Sequence, residues 1–293
     1  MGKPDFICIG PGRTGTSWLR EMLDSHPSIS LAKIKETEYF NNNEYKGLKW
    51  YESHFSNDQS KISGEISNMY YLDQAVPDKI FQSYPDIKII ACTREVGSLI
   101  QSFYQFGLRR GVAANSLQDA LSEPIAKYMG SGYQERLKEG RLSSGDEVTV
   151  LDAIRLEYWI TPYLQKFGCQ NILLLPYESL KNDGPGTLKK VYSFLGVDVS
   201  HKPGALFEVV NPGLEPKNKT VALIAHKSAF FLRKLGFNRV LTELHKSRWI
   251  KYLLFREVSS KDSVEVLDVD PLILKELERE NEKISQLYHG AWQ

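Results

Sequence analysis

The chain has 293 residues, of which 42% are hydrophobic and 25% are charged, a composition suited to one large α/β domain. Its formal net charge of +1 argues against a nucleic-acid-coating surface, so we expect no nucleic-acid partner. No stretch approaches 18 consecutive apolar residues and the first strand begins by residue 5. We therefore expect no integral membrane segment, no signal peptide and a cytoplasmic location.

The first predicted elements are a strand, a loop and a helix. An apolar run over residues 5–9 leads into a Gly/Pro turn over residues 10–15, and an amphipathic helix follows over residues 16–25. This order is typical of a loop that holds a phosphate group at a helix N-terminus. A tight turn without any ligand is the alternative interpretation.

The loop departs from the Walker A pattern in its cation. Gly10, Gly15 and Ser17 stand where that pattern requires two glycines and a hydroxyl, but Thr16 occupies the lysine position. The positive charge lies earlier in the loop, at Arg13. Because the Walker lysine neutralises phosphates beside magnesium, its loss favours an anionic nucleotide that is handled without a bound metal ion.

The elements that follow alternate between helical and strand patterns. In chain order they are an apolar stretch at 29–31, a charged and aromatic segment at 33–40, a short helix at 47–55, a strand at 61–66, a helix at 73–83 and a strand at 87–92. The last strand ends in Thr93-Arg94-Glu95 and is followed by a helix that runs to Arg110. Polar residues at the carboxyl end of a buried strand are where doubly wound sheets bind ligands.

The second half of the chain predicts one more strand and a helical tail. Its segments are a polar stretch outside the sheet at 111–145, a helix at 151–167, a strand at 171–175, a helix at 185–195, a basic loop at 211–220 and a mainly helical region at 221–293 that ends in an amphipathic segment at 271–288. We predict a single domain over 1–293, with a nucleotide-binding core at about 5–220 and a helical extension at about 221–293. Cys8, Cys92 and Cys169 are interpreted as buried thiols without metal-ligand spacing.

Four stretches in register resemble the sulfotransferases that use 3′-phosphoadenosine 5′-phosphosulfate (PAPS). Residues 12–18 resemble the family's 5′-phosphosulfate loop, with Arg13 in place of the usual lysine. Arg94 and Ser102, eight residues apart, are similar to its 3′-phosphate motif, and residues 177–180 resemble a segment whose tyrosine lies near the adenine. The fold that this implies is a P-loop-like three-layer α/β/α architecture around a central, mostly parallel sheet, with a helical C-terminal part.

The fourth stretch points to a branch of that family. His26-Pro27, residues 35–41 and residues 47–51 are most similar to the carbohydrate sulfotransferases, which include the heparan sulfate enzymes. The resemblance implies a small-molecule or glycan acceptor that carries a hydroxyl or an amine. The sequence does not distinguish between these acceptors, and it does not indicate an oligomeric state.

The resemblance also implies a set of nucleotide-binding residues, with adenosine 3′,5′-bisphosphate as the product and no metal ion required. The expected set is Arg13, Thr14, Gly15, Thr16, Ser17, Trp18, Arg94, Ser102, Tyr177, Lys217 and Lys219. Arg94 and Ser102 would clamp the 3′-phosphate. Arg13 cannot readily give up its proton, so we expect it to stabilise the charge on the leaving group electrostatically.

The acceptor needs a base, and by resemblance the glutamate of the Lys35-Glu36 pair fills that role. Glu38 and His54 are the alternatives. Flanking lysines would lower the pKa of Glu36 and burial would raise it, and the sequence leaves that balance open. We expect acceptor contacts from Lys35, Glu65, Trp50 and Tyr70, within an aromatic cleft to which Tyr39, Phe40, Tyr51 and Tyr71 could also contribute.

Two other functions remain open at this stage. A degenerate P-loop nucleotide kinase would share the loop, although the missing lysine argues against it. A non-catalytic module that binds adenosine bisphosphate would share the whole nucleotide site, and the presence of Glu36 argues against that alternative.

Overall fold

The apolar runs of the sequence form a five-stranded parallel sheet in the order β2-β3-β1-β4-β5. The structure is a computed structural model that describes residues 2–110, 112–114, 116–129, 133–140, 142–204, 214–216, 255–257 and 269–290. The strands are β1 (Phe6–Ile9), β2 (Ile29–Leu31), β3 (Ile62–Ile66), β4 (Lys88–Thr93) and β5 (Ile172–Pro176). A separate antiparallel pair joins β6 (Leu214–Pro216) to β7 (Phe255–Glu257).

Helices connect the strands and cover the sheet. The described helices are α1 (Thr16–Asp24), α2 (Leu48–Glu52), α3 (Val76–Ser83), α4 (Val96–Arg110), α5 (Leu117–Leu121), α6 (Ile125–Met129), α7 (Tyr133–Lys138), α8 (Ser144–Glu147), α9 (Val150–Ala153), α10 (Leu156–Phe167), α11 (Tyr177–Asn182), α12 (Gly184–Leu195) and α13 (Pro271–Gly290). Shorter turns are a π-helical turn at Tyr39–Asn43 and 3₁₀ turns at Glu44–Lys46, Asn68–Leu72 and Cys169–Asn171.

The sheet separates two hydrophobic cores, which gives the predicted three-layer α/β/α architecture. Ile7 and Ile89 face one core, together with residues of α3, α4 and α10. Cys8 and Ile90 face the opposite core, together with residues of α1 and α12. Because alternate residues of β1 and β4 enter different cores, these strands are apolar along their whole length rather than at every second position.

The order of the strands positions the candidate site. β1 pairs with β3 on one side and with β4 on the other, with Ile9 opposite Ala91. The connections that leave β1 and β4 therefore start next to each other at the carboxyl edge of the sheet. This edge is where open α/β sheets bind ligands, as the sequence predicts.

Several local predictions need correction. The predicted helix at 151–167 is two helices, α9 and α10, because Arg155 has a non-helical backbone, with φ −74° and ψ 63°. The helix predicted at 47–55 is shorter and consists of α2 alone. Residues 29–31, to which the sequence assigned no element type, form an edge strand paired with β3. Cys169 is exposed, since it lies in a 3₁₀ turn that precedes β5, whereas Cys8 and Cys92 are buried as expected.

The C-terminal half is described only in part. The predicted amphipathic segment at 271–288 is a helix, α13, which packs against α10 and α4. Apart from Leu214–Pro216, the basic loop lies outside the described residues, as does most of the predicted tail, so the extent of the single domain stays a prediction. None of the helices in the described ranges is long and apolar enough to cross a membrane.

Candidate nucleotide and acceptor site

The loop after β1 needs glycine at two positions. Gly10 has φ +114°, and a Cβ there would lie 2.1 Å from the carbonyl oxygen of Cys92. Gly15 has φ +87°, and a Cβ there would lie 2.8 Å from Leu180 and 3.2 Å from the ring of Tyr177. Both positions combine a left-handed backbone with close approach, so any other residue would be strained and crowded.

The loop leads directly into the N-terminus of α1. Thr14 is fully buried and its hydroxyl donates to the carbonyl of Pro11 at 2.7 Å, which closes the turn. Gly15 is the N-cap residue and no described side chain caps the helix. The first N–H groups of α1, from Thr16 and Ser17 onward, are therefore available to an anion, and the helix dipole favours negative charge at this point.

Two arginines converge on this loop. The guanidinium of Arg94 donates to the carbonyl of Arg13 at 2.9 Å and stacks 4.3 Å from the centre of the Tyr177 ring. Arg13 has φ 70°, and its Nε donates to the hydroxyl of Ser102 at 3.2 Å. The structure thus brings together Arg13, Arg94, Ser102 and Tyr177, which the sequence predicts as nucleotide-binding residues.

The Nε of Arg94 is buried and has no hydrogen-bond partner among the described residues. The hydroxyl of neighbouring Thr93 is also buried and has no hydrogen-bond partner among the described residues. Burial lowers the pKa of Arg94, whereas Tyr177 and nearby carboxylates raise it. A buried guanidinium N–H without an acceptor is costly, so this position fits an anionic group of a ligand.

The N-terminus of α4, next to Arg94, is already satisfied by protein groups. The two carboxylate oxygens of Glu95 accept from the backbone N–H groups of Gly97 and Ser98 at 2.8 and 2.7 Å. Asn281 of α13 accepts from Val96 N–H at 2.9 Å and donates to Glu95 at 3.1 Å. An anion at this edge would therefore be held by the arginine rather than by the helix terminus.

Glu36 lies in the loop between β2 and the π-helical turn. Its backbone N–H donates to Ile66 at the end of β3, at 3.1 Å, and its carboxylate accepts from the Asn68 amide at 3.3 Å. Burial raises the pKa of Glu36, and the nearby charge of Lys35 opposes this shift without cancelling it. The net effect is a raised pKa for Glu36, with burial outweighing the neighbouring lysine, a balance that the sequence left open.

Lys35 links this carboxylate to the phosphate-type loop. Its ammonium group lies 3.7 Å from a carboxylate oxygen of Glu36 and donates to the hydroxyl of Ser17 at 3.3 Å. A side chain from the loop on the β2 side thus reaches the first turn of α1. Glu36 and the loop that carries Arg13 therefore border the same region of the protein.

Glu65 has a different place from the one the sequence predicts. It is fully buried, and its carboxylate accepts from the hydroxyls of Tyr51 at 2.7 Å, Ser67 at 2.8 Å, Thr37 at 2.5 Å and Tyr70 at 3.0 Å. Burial raises its pKa and these four hydrogen bonds lower it. With no exposed surface, neither Glu65 nor Tyr70 contacts an acceptor in this structure, and we correct both assignments to an internal support of the loop.

The predicted aromatic cleft is likewise mainly core. Tyr39, Phe40, Tyr51, Tyr70 and Tyr71 are all buried. All five belong to one hydrophobic core, in which the rings of Tyr39, Phe40, Tyr51 and Tyr70 pack on one another. Trp50 alone in this group is partly exposed, with Lys46 4.4 Å above its ring, so it stays a candidate for acceptor contact.

The two alternative bases are placed less favourably than Glu36. Glu38 is buried and bound to Arg136 at 3.2 Å, which holds its carboxylate inside the protein. His54 packs edge-on against Trp50, and burial together with Lys33 and Lys46 lowers its pKa. Its Nε2 is buried and has no partner among the described residues.

Of the other residues predicted to bind the nucleotide, the structure describes Trp18 but not the two lysines of the basic loop. Trp18 is partly buried and packs with the core between the sheet and α12, where it faces Gly184. Lys217 and Lys219 lie outside the described residues, so their assignment stays a prediction. Asn68 was missed by the sequence analysis, although a polar residue just after β3 is the same signal that identified Arg94 after β4.

Among the described residues, no group of three or more His, Cys, Asp and Glu side chains could hold a metal ion. Three cationic side chains that the structure describes at this site are those of Arg13, Arg94 and Lys35. They stand around one loop and one helix N-terminus, and all are provided by the chain itself.

Comparisons with known proteins agree with this geometry. A bifunctional heparan sulfate N-deacetylase/N-sulfotransferase 4 from Mus musculus is 27% identical over 207 residues, which is 66% of this chain and 22% of that protein. A membrane-associated sulfotransferase kil1 from Dictyostelium discoideum is 31% identical over 110 residues, 36% of this chain and 23% of that protein. The chain thus spans about a fifth of the length of these curated relatives.

A solved sulfotransferase from Alicyclobacillus acidocaldarius has the same fold, with a TM-score of 0.57 at 20% identity, over 86% of this chain and 100% of that one. A family model described as "Sulfotransferase domain" matches residues 3–230, a range that contains the glycine loop, the arginine pair and Glu36. The chain therefore belongs to the sulfotransferase-domain family.

Proposed function

We propose that this chain transfers the sulfuryl group of PAPS to a hydroxyl or amine of a carbohydrate or glycan, without a metal ion. The observation that carries the proposal is one continuous set of contacts across the site. It runs from Ser102 to Arg13, along the glycine loop to Ser17, and through Lys35 to Glu36. A nucleotide-type anion site and a candidate base are thereby joined by one set of contacts.

The described residues fit the nucleotide on two counts. The buried Nε of Arg94 and the uncapped N-terminus of α1 are two separate positions that suit an anion, and PAPS carries anionic groups at both its 3′ and 5′ ends. Arg94, Ser102 and the first turn of α1 would hold the nucleotide, with Tyr177 beside them.

PAPS, when bound, supplies an activated sulfuryl group. Glu36 accepts the proton that the acceptor hydroxyl or amine loses as its oxygen or nitrogen bonds to sulfur. Arg13 stabilises the negative charge left on the phosphate oxygen when the old sulfur–oxygen bond breaks. The positive charge of Lys35, 3.7 Å from the carboxylate, favours the ionised form of Glu36 against the burial that raises its pKa. Transfer of this kind depends mainly on positioning and charge stabilisation.

The acceptor class rests on similarity to the heparan sulfate enzymes named above, and on the partly exposed Trp50 near the loop of Glu36. The choice between oxygen and nitrogen is left to experiment. A cytoplasmic location also remains a prediction, which fractionation of cells that express the tagged chain would test.

The direct test measures transfer of labelled sulfate from PAPS to a matched panel of acceptors. The panel contains a glycan with free amines, the same glycan with acetylated amines, a neutral oligosaccharide and a phenol. Transfer to either glycan supports the proposal. Binding of adenosine 3′,5′-bisphosphate without transfer to any acceptor would favour the non-catalytic module, and magnesium-dependent ATP turnover without PAPS would favour the kinase.

Arg13 offers a prediction about the leaving group. Arg13→Ala should lower kcat at saturating PAPS by about 100-fold, because a preorganised charge beside the developing anion is lost. Arg13→Lys should retain much of the activity, because lysine keeps the positive charge although it lacks the planar guanidinium group. Alanine keeps the backbone strain of this left-handed position unchanged, so the pair isolates the charge. A fully active alanine variant would contradict the electrostatic role.

Lys35 offers a prediction about pH. Glu36 must be ionised to accept a proton, and the positive charge of Lys35 lowers its pKa. In Lys35→Met the pKa of Glu36 rises, so the acidic limb of the kcat/KM profile should move to higher pH by about half a unit, a size that allows for solvent screening. Lys33→Met is the control, because Lys33 bonds to the carbonyl of Ser53 instead. If the acidic limb of the kcat/KM profile does not move in Lys35→Met, then Glu36 is not the base or its pKa does not depend on Lys35.

A further inference from the structure

The loop that carries Glu36 has an unusual backbone. Glu36 has φ 59° and Glu38 has φ 47°, so two residues with full side chains lie in the left-handed region on either side of Thr37. Left-handed conformations disfavour such residues and persist only where surrounding contacts enforce them. The contacts that hold this loop therefore decide where the carboxylate of Glu36 points.

Part of the support comes from the carboxyl end of β3 and the turn that follows it. Glu38 N–H donates to the hydroxyl of Ser67 at 3.3 Å, and Tyr39 N–H donates to the hydroxyl of Tyr70 at 2.9 Å. The hydroxyl of Thr37 donates to buried Glu65. These contacts fix the inner side of the loop, but none of them engages the carboxylate of Glu38.

That carboxylate accepts from the side-chain amide of Asn42, in the same loop, at 2.9 Å, and from Arg136, in α7. Arg136 donates through one terminal nitrogen to Glu38 at 3.2 Å, and through Nε to Asp146 at 2.7 Å, with its other terminal nitrogen also bonded to Asp146. The side chains are 11%, 6% and 0% exposed in the order Arg136, Glu38, Asp146. Asp146 in turn accepts from the backbone N–H of Ser143, which anchors the pair to the start of α8.

Neither α7 nor α8 contributes a residue to the nucleotide site described above. Both lie between α4 and α9, in or next to the polar stretch 111–145, which from the sequence is expected to shape the acceptor cleft with a specificity that cannot be read. α8 also packs on the 3₁₀ turn at Asn68–Leu72, where a Cβ at Gly145 would lie 3.2 Å from the carbonyl of Leu72. The segment thus reaches the loop of Glu36 through a buried ion pair, and it packs on the turn that carries Asn68, whose amide donates to Glu36.

We propose that Arg136 is a positioning residue for sulfuryl transfer: it holds the left-handed loop through Glu38 and thereby orients Glu36 toward the acceptor. This inference rests on the proposed function. Without the guanidinium, the buried carboxylate of Glu38 loses its charged partner, which favours movement of that carboxylate toward water. Movement would release the left-handed backbone two residues away from Glu36. Proximity and orientation of the base would be lost while the nucleotide site stays intact.

The experiment compares Arg136→Met with Lys138→Met, an exposed lysine on the same helix that loses the same charge. Arg136→Met should lower kcat at saturating PAPS by about tenfold or more, because a small displacement of a catalytic group costs rate, while affinity for adenosine 3′,5′-bisphosphate changes by less than about twofold. Lys138→Met should match the wild type in both. Equal kcat in all three proteins, or a parallel loss of kcat and nucleotide affinity, would overturn the proposal.

Hydrogen exchange supplies a readout that does not depend on turnover. In Arg136→Met, the backbone amides of Tyr39 and Asn42, which bond to Tyr70 and Glu38, should exchange about tenfold faster, while amides of β1 and β4 stay protected. If the wild type transfers no sulfate to any acceptor, the proposed function fails, and this measurement still decides whether Arg136 holds the loop. Unchanged exchange would refute the link itself.

Two further variants separate positioning from general loss of stability. Arg136→Lys keeps one cation and should fall between the wild type and the methionine variant in both kcat and exchange. Adding Glu38→Gln to Arg136→Met removes the buried charge that has lost its arginine and should recover part of the lost kcat, as expected if Arg136 acts through Glu38. If the double variant has the same low kcat and the same fast hydrogen exchange as Arg136→Met, Arg136 does not act through Glu38.

Discussion

Arg94→Ala should weaken binding of adenosine 3′,5′-bisphosphate by about 100-fold, which corresponds to the loss of charged hydrogen bonds worth about 2–3 kcal/mol. The buried Nε of Arg94 has no partner among the described residues, so a bound anion would satisfy it. The change should affect affinity far more than kcat at saturating PAPS, because the 3′-phosphate is remote from the reacting sulfur. Calorimetry with the product nucleotide measures the first effect and steady-state kinetics the second.

Two controls make this result specific. Arg279→Ala removes an exposed arginine from α13 and should leave affinity unchanged. Arg94→Lys keeps the charge but loses the fork that also bonds to the carbonyl of Arg13, so it should bind with intermediate affinity. Wild-type affinity in Arg94→Ala would remove the 3′-phosphate assignment.

Glu36→Gln should lower kcat by about 100-fold or more, the usual contribution of a general base, without changing affinity for the nucleotide. The substitution keeps the size of the side chain, and its amide oxygen can still accept from Asn68, which lies 3.3 Å from the carboxylate. The loss should therefore report the missing base and not a collapsed loop. Single-turnover transfer from PAPS to the most active acceptor is the appropriate measurement.

The controls for Glu36 are a glutamate elsewhere and the competing base. Glu21→Gln, on the exposed side of α1, should be fully active. His54→Asn should also be active, because His54 packs on Trp50 and its pKa is lowered by burial and neighbouring lysines. The reverse pattern, an active Glu36→Gln and an inactive His54→Asn, would transfer the role of base to the histidine.

The nucleotide half of the site could be predicted from local sequence because its signals are local. A glycine loop between a strand and a helix predicts an anion site from residues that are neighbours in the chain. Arg94 follows a strand whose apolar character predicts burial on both faces, and the structure pairs that strand with β1. The structure brings Arg13, Arg94, Ser102 and Tyr177 together as these patterns indicate.

The acceptor half was predicted less well, because burial depends on contacts between distant segments. Glu65 and Tyr70 have the chemistry of substrate-binding residues, yet four hydroxyls from three parts of the chain surround the carboxylate and exclude the exterior. The hydrophobic periodicity of strands or helices does not reveal this buried cluster, because the loop of residues 33–43 follows neither pattern. The same holds for the pKa of Glu36, which burial raises despite Lys35.

The sequence by itself determined the fold class, the glycine loop with its displaced cation, and the order of the motifs. These follow from glycine's backbone freedom, apolar periodicity and residue chemistry, all of which act over short stretches of chain. Only the tertiary structure decided which polar groups are buried together: Arg94 against the carbonyl of Arg13, and Arg136 against Glu38. The physical reason is that desolvation and charge pairing depend on every segment packed around a group, and those segments meet only in the folded chain.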